Sequence, residues 1–227
     1  MADSNAWWAI ALTVLSLLLY EVAVAFGQRR TPQRMARTAH ATLREDWFTA
    51  VSRQRGSEIL AVQTIRNSLM SATMTASTAA LALMGAVTLA APSLHDTLGG
   101  PRAGLPAFTP RLALQLVLLM LLLASLVCSV MAVRYYNHAS FIGGMPVDSA
   151  ERRHWVATGA VYVRRAGVLY GWGLRHLVMV APVLASMIFP PAGPAAALAV
   201  IAVMLGLDML AAGRESGAGA YASGSRR

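Results

Sequence analysis

The chain has 227 residues, of which 56% are hydrophobic and only 13% charged, with a mean hydropathy of +0.54. That balance excludes an ordinary water-soluble domain and points to an integral membrane protein. The formal charge of +9 comes from 19 basic residues, all arginine, which flank apolar runs and accompany no nucleic-acid motif. Nucleic acid is therefore set aside in favour of membrane topology and anionic lipid headgroups.

The first apolar run is about 6–26. Ala23-Val24-Ala25 has the look of a cleavage site, but no basic residue precedes the run and Arg29 and Arg30 follow it, the pattern of an uncleaved anchor. Thr31-Pro32 then reads as a helix start, and Met35, Ala39, Leu43, Trp47 and Val51 form an i, i+4 stripe. The spacing predicts an amphipathic helix over about 32–54 lying at the membrane interface.

A second span is expected over about 68–91, followed by Pro92 as a stop. Its entry is polar, with Gln63, Arg66 and Asn67, and its body is built from small residues. Ala72, Ala76 and Ala80 repeat every four residues, as do Ser71, Thr75 and Ala79, so both faces permit close helix approach, within the monomer or in a homo-oligomer. Thr109-Pro110 offers an N-cap and first-turn proline for a third span over about 112–133. Gly143-Gly144 breaks that helix, and Asp148 with Glu151 suggests a capping-box start for a second interfacial helix over about 149–165, either separate or continuing into the fourth span.

The fourth span is expected over about 168–189, closed by Pro190-Pro191. The fifth covers about 194–212, starting at Gly193-Pro194, and 213–227 reads as a flexible tail. Residues 1–212 thus form a single transmembrane domain. Cys128, the single cysteine, sits inside an apolar helix and leaves no disulfide framework or Cys-based metal site. Eight arginines fall between Arg29 and Arg66, six between Arg134 and Arg175 and three from Arg214 onward, against Arg102 and Arg111 in the remaining long connection. The positive-inside rule puts the Arg-rich connections and C-terminus in the cytoplasm. The expected fold is all-α, five spans with the N-terminus outside, in a plasma membrane, as in the bacterial inner membrane.

Polar residues gather at the ends of these spans. Gln63, Arg66 and Asn67 enter the second; Arg134, Tyr135, Asn137 and His138 close the third; Trp172, Arg175 and His176 open the fourth; Glu21 and Asp208 lie on the first and fifth. The sequence suggests one cytoplasmic layer, since an unpaired charge near the bilayer centre costs about 2.5 to 3.5 kcal/mol. Asp208 is too short to snorkel far, and an arginine is its natural partner.

The segments AVQTIRNSLMSATMTASTAAL, VRYYNHASFIGGMP and YVRRAGVLYGWGLRHLVMVAPVL resemble, in order and spacing, the uncharacterised membrane family called domain of unknown function 599. The resemblance runs from about Leu15 to Asp208. It implies a small multi-span membrane protein of the kind found in bacteria and plants, and it supplies no catalytic residues.

Three functions fit the residues. The first is a module that grips an anionic lipid headgroup or a partner protein through its Arg-rich face. The second is a small transporter or channel in which Arg66, Arg134 and Arg175 draw an anion, although no broken-helix pair marks a midplane site. The third is a haem site using His138 and His176, which no further cofactor signature supports. No nucleophile elbow or HExxH motif indicates hydrolysis, so no catalytic or metal-ligating residues are assigned.

Overall fold

The computed structural model describes the backbone of residues 2–30, 36–98 and 109–224, with side chains within 6–27, 40–95 and 109–208. These residues form six helices and no strand: α1 (Ala2–Arg30), α2 (Ala36–Val51), α3 (Glu58–Leu98), α4 (Pro110–Gly144), α5 (Ala150–Ile188) and α6 (Ala192–Gly224). Four segments are long and apolar enough to cross a membrane: Ala6–Gly27, Glu58–His95, Pro110–Gly144 and Ala150–Ile188. Ala192–Asp208 of α6 is apolar but shorter. The chain is a multi-pass helical membrane protein.

Helices α3, α4 and α5 have 41, 35 and 39 residues, roughly 50–60 Å at 1.5 Å per residue. That is nearly twice a hydrocarbon core of about 30 Å. They outrun the apolar stretches because polar residues alone do not end a helix whose backbone bonds continue. The interfacial helix expected over 149–165 is accordingly the first part of α5 rather than a separate element.

Several expected boundaries shift for identifiable reasons. Pro92 does not stop α3, which continues to Leu98; Gln115 Nε2 donates to the Leu89 carbonyl at 3.3 Å, supporting the turn that the proline weakens. Ser149, not Asp148, caps α5, its hydroxyl accepting from the Arg152 N–H, while Asp148 pairs with Arg55 at 2.8 Å. Thr109 caps α4 as expected, accepting from the Leu112 N–H. The last helix begins at Ala192 and runs through Gly213 to Gly224, taking in most of the stretch read as a tail. The stretch carries Gly213, Gly217, Gly219 and Gly224, which weaken a helix, but no proline that would break it. The Thr31-Pro32 start and Arg102 lie outside the described residues.

Helix α4 is central, packed along α3 and α5; α5 also carries α2 and α6, and α1 leans chiefly on α6. On α3 the small residues Ala72, Thr75, Ala79, Ala86 and Ala90 are buried, giving the close approach that small side chains allow. One core joins α1, α4, α5 and α6 through Leu17, Leu118, Leu122, Met179, Val183 and Met204. A second gathers Phe48 of α2 with Ile65, Tyr136, Ile142 and Val163.

Helix α2 is thus a packed element rather than only an interfacial one. Its buried face is Ala41, Phe48, Val51 and the following Ser52, while Leu43 of the expected stripe is exposed. The rotation comes from Phe48, whose ring fills the space that a Cβ at Gly159 would occupy. Gly56, at φ +79°, lets the chain reverse between α2 and α3.

One side chain fastens this end. Arg152 is 1% exposed, and its guanidinium donates to the carbonyls of Ile142 and Gly143, to Met145 O at 3.0 Å and to Ser52 Oγ at 3.1 Å. Glu58 Oε1 accepts from the Val147 N–H at 3.2 Å beside it. The guanidinium supplies donors to the carbonyls at the end of α4, of which that of Ile142 also accepts from the capping Met145 N–H, and ties them to the α2–α3 turn. Arg152→Ala should lower unfolding stability by about 3 kcal/mol, because buried carbonyls lose charged donors. Thermal unfolding in detergent micelles checks this, and Arg152→Lys should recover little since an ammonium lacks the planar fork.

Candidate functional site

The polar residues of the sequence do not form one layer. Those that converge are Tyr20 and Glu21 of α1, Trp172, Arg175 and His176 of α5, and Asp208 of α6. Arg175 Nη2 donates to both Asp208 oxygens at 2.8 and 2.9 Å, and its Nη1 donates to the Tyr20 hydroxyl at 2.6 Å. The expected arginine partner of Asp208 is therefore Arg175, and the bidentate pair plus the phenol leaves that guanidinium little capacity for a ligand. Tyr20 is the member that sequence reasoning missed; its position next to Glu21 was the available signal.

Glu21 and His176 form a looser contact, Oε1 to Nε2 at 3.6 Å, with side chains 24% and 17% exposed. The Trp172 ring stacks on His176 with centroids 5.7 Å apart.

The remaining expected residues lie elsewhere. Gln63, Arg66 and Asn67 on α3, and Arg134, Asn137 and His138 on α4, are exposed. Tyr135 and His138 pack their rings near Tyr162, at 5.5 and 5.9 Å. His138 thus shares a level with Tyr162, whereas His176 lies close to Gly173, which touches Ser125 and Ser129 of α4. Along α4 that is a separation of roughly 20 Å. The antiparallel course of α4 and α5 separates residues that distance from an apolar boundary placed together, so the two histidines do not face one axial-ligand pair. Nor do Arg66, Arg134 and Arg175 converge as an anion cluster.

The hydroxyls of α3 fold back on their own helix: Ser71 donates to Asn67 O, Thr73 to Leu69 O, Thr75 to Ser71 O and Thr78 to Met74 O. Side chains so engaged satisfy themselves without forming a site.

A cavity of about 320 Å³ opens instead between α2 and the three long helices, lined by Leu43, Arg44, Trp47, Thr64, Ile65, Ser68, Tyr136 and Val163. Its walls are mainly apolar, with the Tyr136 hydroxyl beside Ser68. Arg44 is the charged member. Its guanidinium lies against Gly167 of α5, where an added Cβ would stand 2.7 Å from Arg44 Cζ. Among the described residues no carboxylate lies within ion-pair distance of Arg44; the neighbouring Glu45 pairs with Arg164 at 3.7 Å. Arg44 was not singled out by the sequence, where it was one exposed-looking arginine among eight.

Fold and site together define a multi-pass helical membrane protein with an Arg175–Asp208 ion pair between α5 and α6 and an Arg-containing apolar cavity at its α2 end. The chain belongs to the family described as protein of unknown function, DUF599, whose model matches residues 8–212. No curated protein and no solved structure matches it significantly.

If the Arg175–Asp208 contact is a closed structural pair, Arg175→Met and Asp208→Leu should each destabilise the protein by about 2–3 kcal/mol, while the double substitution recovers most of the loss. A double-mutant cycle of thermal unfolding in micelles measures this. Additive losses would reject the assignment.

Proposed function

We propose that this chain is a five-span protein of the bacterial plasma membrane, with its N-terminus outside, that binds anionic lipid at its cytoplasmic α2 end. The observation that carries the reading is Arg44: a half-buried guanidinium on the wall of an apolar cavity, held against Gly167 without a carboxylate partner among the described residues. A buried cation in apolar surroundings favours an incoming anion, and basic pockets between helices on the cytoplasmic side suit anionic headgroups. The volume lies at the small end of ligand pockets, enough for part of an acyl chain beneath a headgroup. Arg66, Arg134, Arg153 and Arg165, all exposed, surround this end with positive charge.

The orientation rests on the arginine distribution in the sequence. The fifth span rests on α6, whose apolar run covers Ala192–Asp208 and which contacts both α1 and α5.

Native mass spectrometry of protein extracted from mixed phosphatidylglycerol and phosphatidylcholine vesicles tests the binding reading. The wild type should retain phosphatidylglycerol preferentially. Arg44→Gln should reduce that preference about fivefold, the effect of losing roughly 1 kcal/mol of attraction per arginine. Gly167→Leu, which displaces the guanidinium without changing charge, should do the same. Equal retention by all three proteins would defeat the proposal. Topology has its own check: in a Cys128→Ser background, Arg53→Cys should react with a membrane-impermeant maleimide in inverted vesicles and not in intact cells.

A further inference from the structure

The two polar contacts that α1 makes with α5 differ in kind. Arg175, Asp208 and Tyr20 are mutually satisfied at 2.6 to 2.9 Å. Glu21 and His176 are 3.6 Å apart, beyond a hydrogen bond, and Glu21 Oε1 and His176 Nδ1 are shielded from solvent without a hydrogen-bond partner. A structural salt bridge inside a membrane protein satisfies its polar atoms; this contact leaves one on each residue open.

From this geometry we infer that Glu21 and His176 form an intramembrane proton-binding site that holds one exchangeable proton between them. With one proton the pair is neutral overall, either as carboxylate and imidazolium or as carboxylic acid and imidazole. Loss of that proton to water leaves a lone carboxylate, and uptake of a second leaves a lone imidazolium. Both singly charged states are costly in apolar surroundings. Arg175 of α5 lies within electrostatic reach of Glu21 but is engaged by Asp208 of α6, while Tyr20 of α1, Trp172 of α5 and Cys128 of α4 are uncharged. The Trp172 ring covers one face of the imidazole. The exchangeable proton therefore belongs to the pair rather than to either residue alone.

This site is separate from the Arg44 cavity and does not depend on lipid binding there. Its test uses the full chain in phosphatidylcholine nanodiscs, with ¹⁵N-labelled histidine rings and the His176 signals assigned through His176→Gln. In the wild type, the His176 nitrogen shifts and the carboxyl infrared band assigned to Glu21 should change at the same pH values. In Glu21→Gln, the His176 titration should move by at least about one pH unit, a roughly tenfold change in proton affinity. His138→Gln, which alters a remote histidine, should leave it in place. Carboxyl and imidazole signals that follow separate single steps in the wild type, or an unmoved His176 titration in Glu21→Gln, overturn the assignment. Should Glu21→Gln fail to fold, the wild-type comparison decides alone.

Discussion

The fold at the α2 end depends on one buried guanidinium. A helix that stops inside protein leaves carbonyls without donors, and at the end of α4 the donors come from Arg152. Because Arg152 sits one turn into α5, capping α4 also fixes the direction in which the chain turns back. Because its other nitrogen reaches Ser52, the same contact sets the distance to the α2–α3 turn. Phe48 then packs over Gly159, and the second core closes around it. The cavity beside Arg44 is a consequence of that geometry: α2 is held by its C-terminal end and by Phe48, and space remains where α2 passes Ile65 and Tyr136.

Within the spans the governing constraint is the absence of water. Most hydroxyls there bond to their own helix or across to the next, as Ser125 does to the Gly173 carbonyl at 2.8 Å. Ser129 and Ser186 hydroxyls and the Gln115 carbonyl oxygen are buried without a partner, but they are neutral, and two places with ionisable groups stand apart from them. Arg44 carries a charge with no described counter-ion, and the Glu21–His176 contact leaves polar atoms open on both sides. The Arg175–Asp208 pair is the useful contrast, since it has the same chemical type and similar depth but meets its partners fully.

The residues declared the architecture more readily than the site. All-helical multi-pass character follows from composition, and the cap at Thr109 and the break at Gly143-Gly144 are written in local chemistry that packing does not overrule. Pro92 misled because a proline stop assumes that nothing outside the helix replaces the lost support, and Gln115 does so from another helix. The Asp208 partner was legible because a short carboxylate at the end of an apolar run calls for a partner. The single polar layer was not, because linear distance from an apolar boundary does not fix height when the helices extend far beyond the bilayer. Arg152 and Arg44 were invisible for a related reason: in an amphipathic stretch rich in arginine, nothing local separates a buried one from its exposed neighbours.

Helix α5 explains how such buried arginine contacts are positioned. Gly159, Gly167 and Gly173 lie along it, and a Cβ at each would come within 3 Å of Phe48, Arg44 and Ser129 respectively. These three glycines give α5 notches at successive heights: one receives the ring that seats α2, one the guanidinium of the cavity, and one the hydroxyl of α4. Arg175 and His176 follow within a turn of the last notch. The height of Arg44 and that of the Glu21–His176 pair are therefore set on one rigid rod, with α2 reading one part and α1 another. A shift of α5 along α4 would disengage Ser129 from Gly173 and carry the Arg44 notch and His176 with it, which couples the heights of the two candidate sites even though neither touches the other.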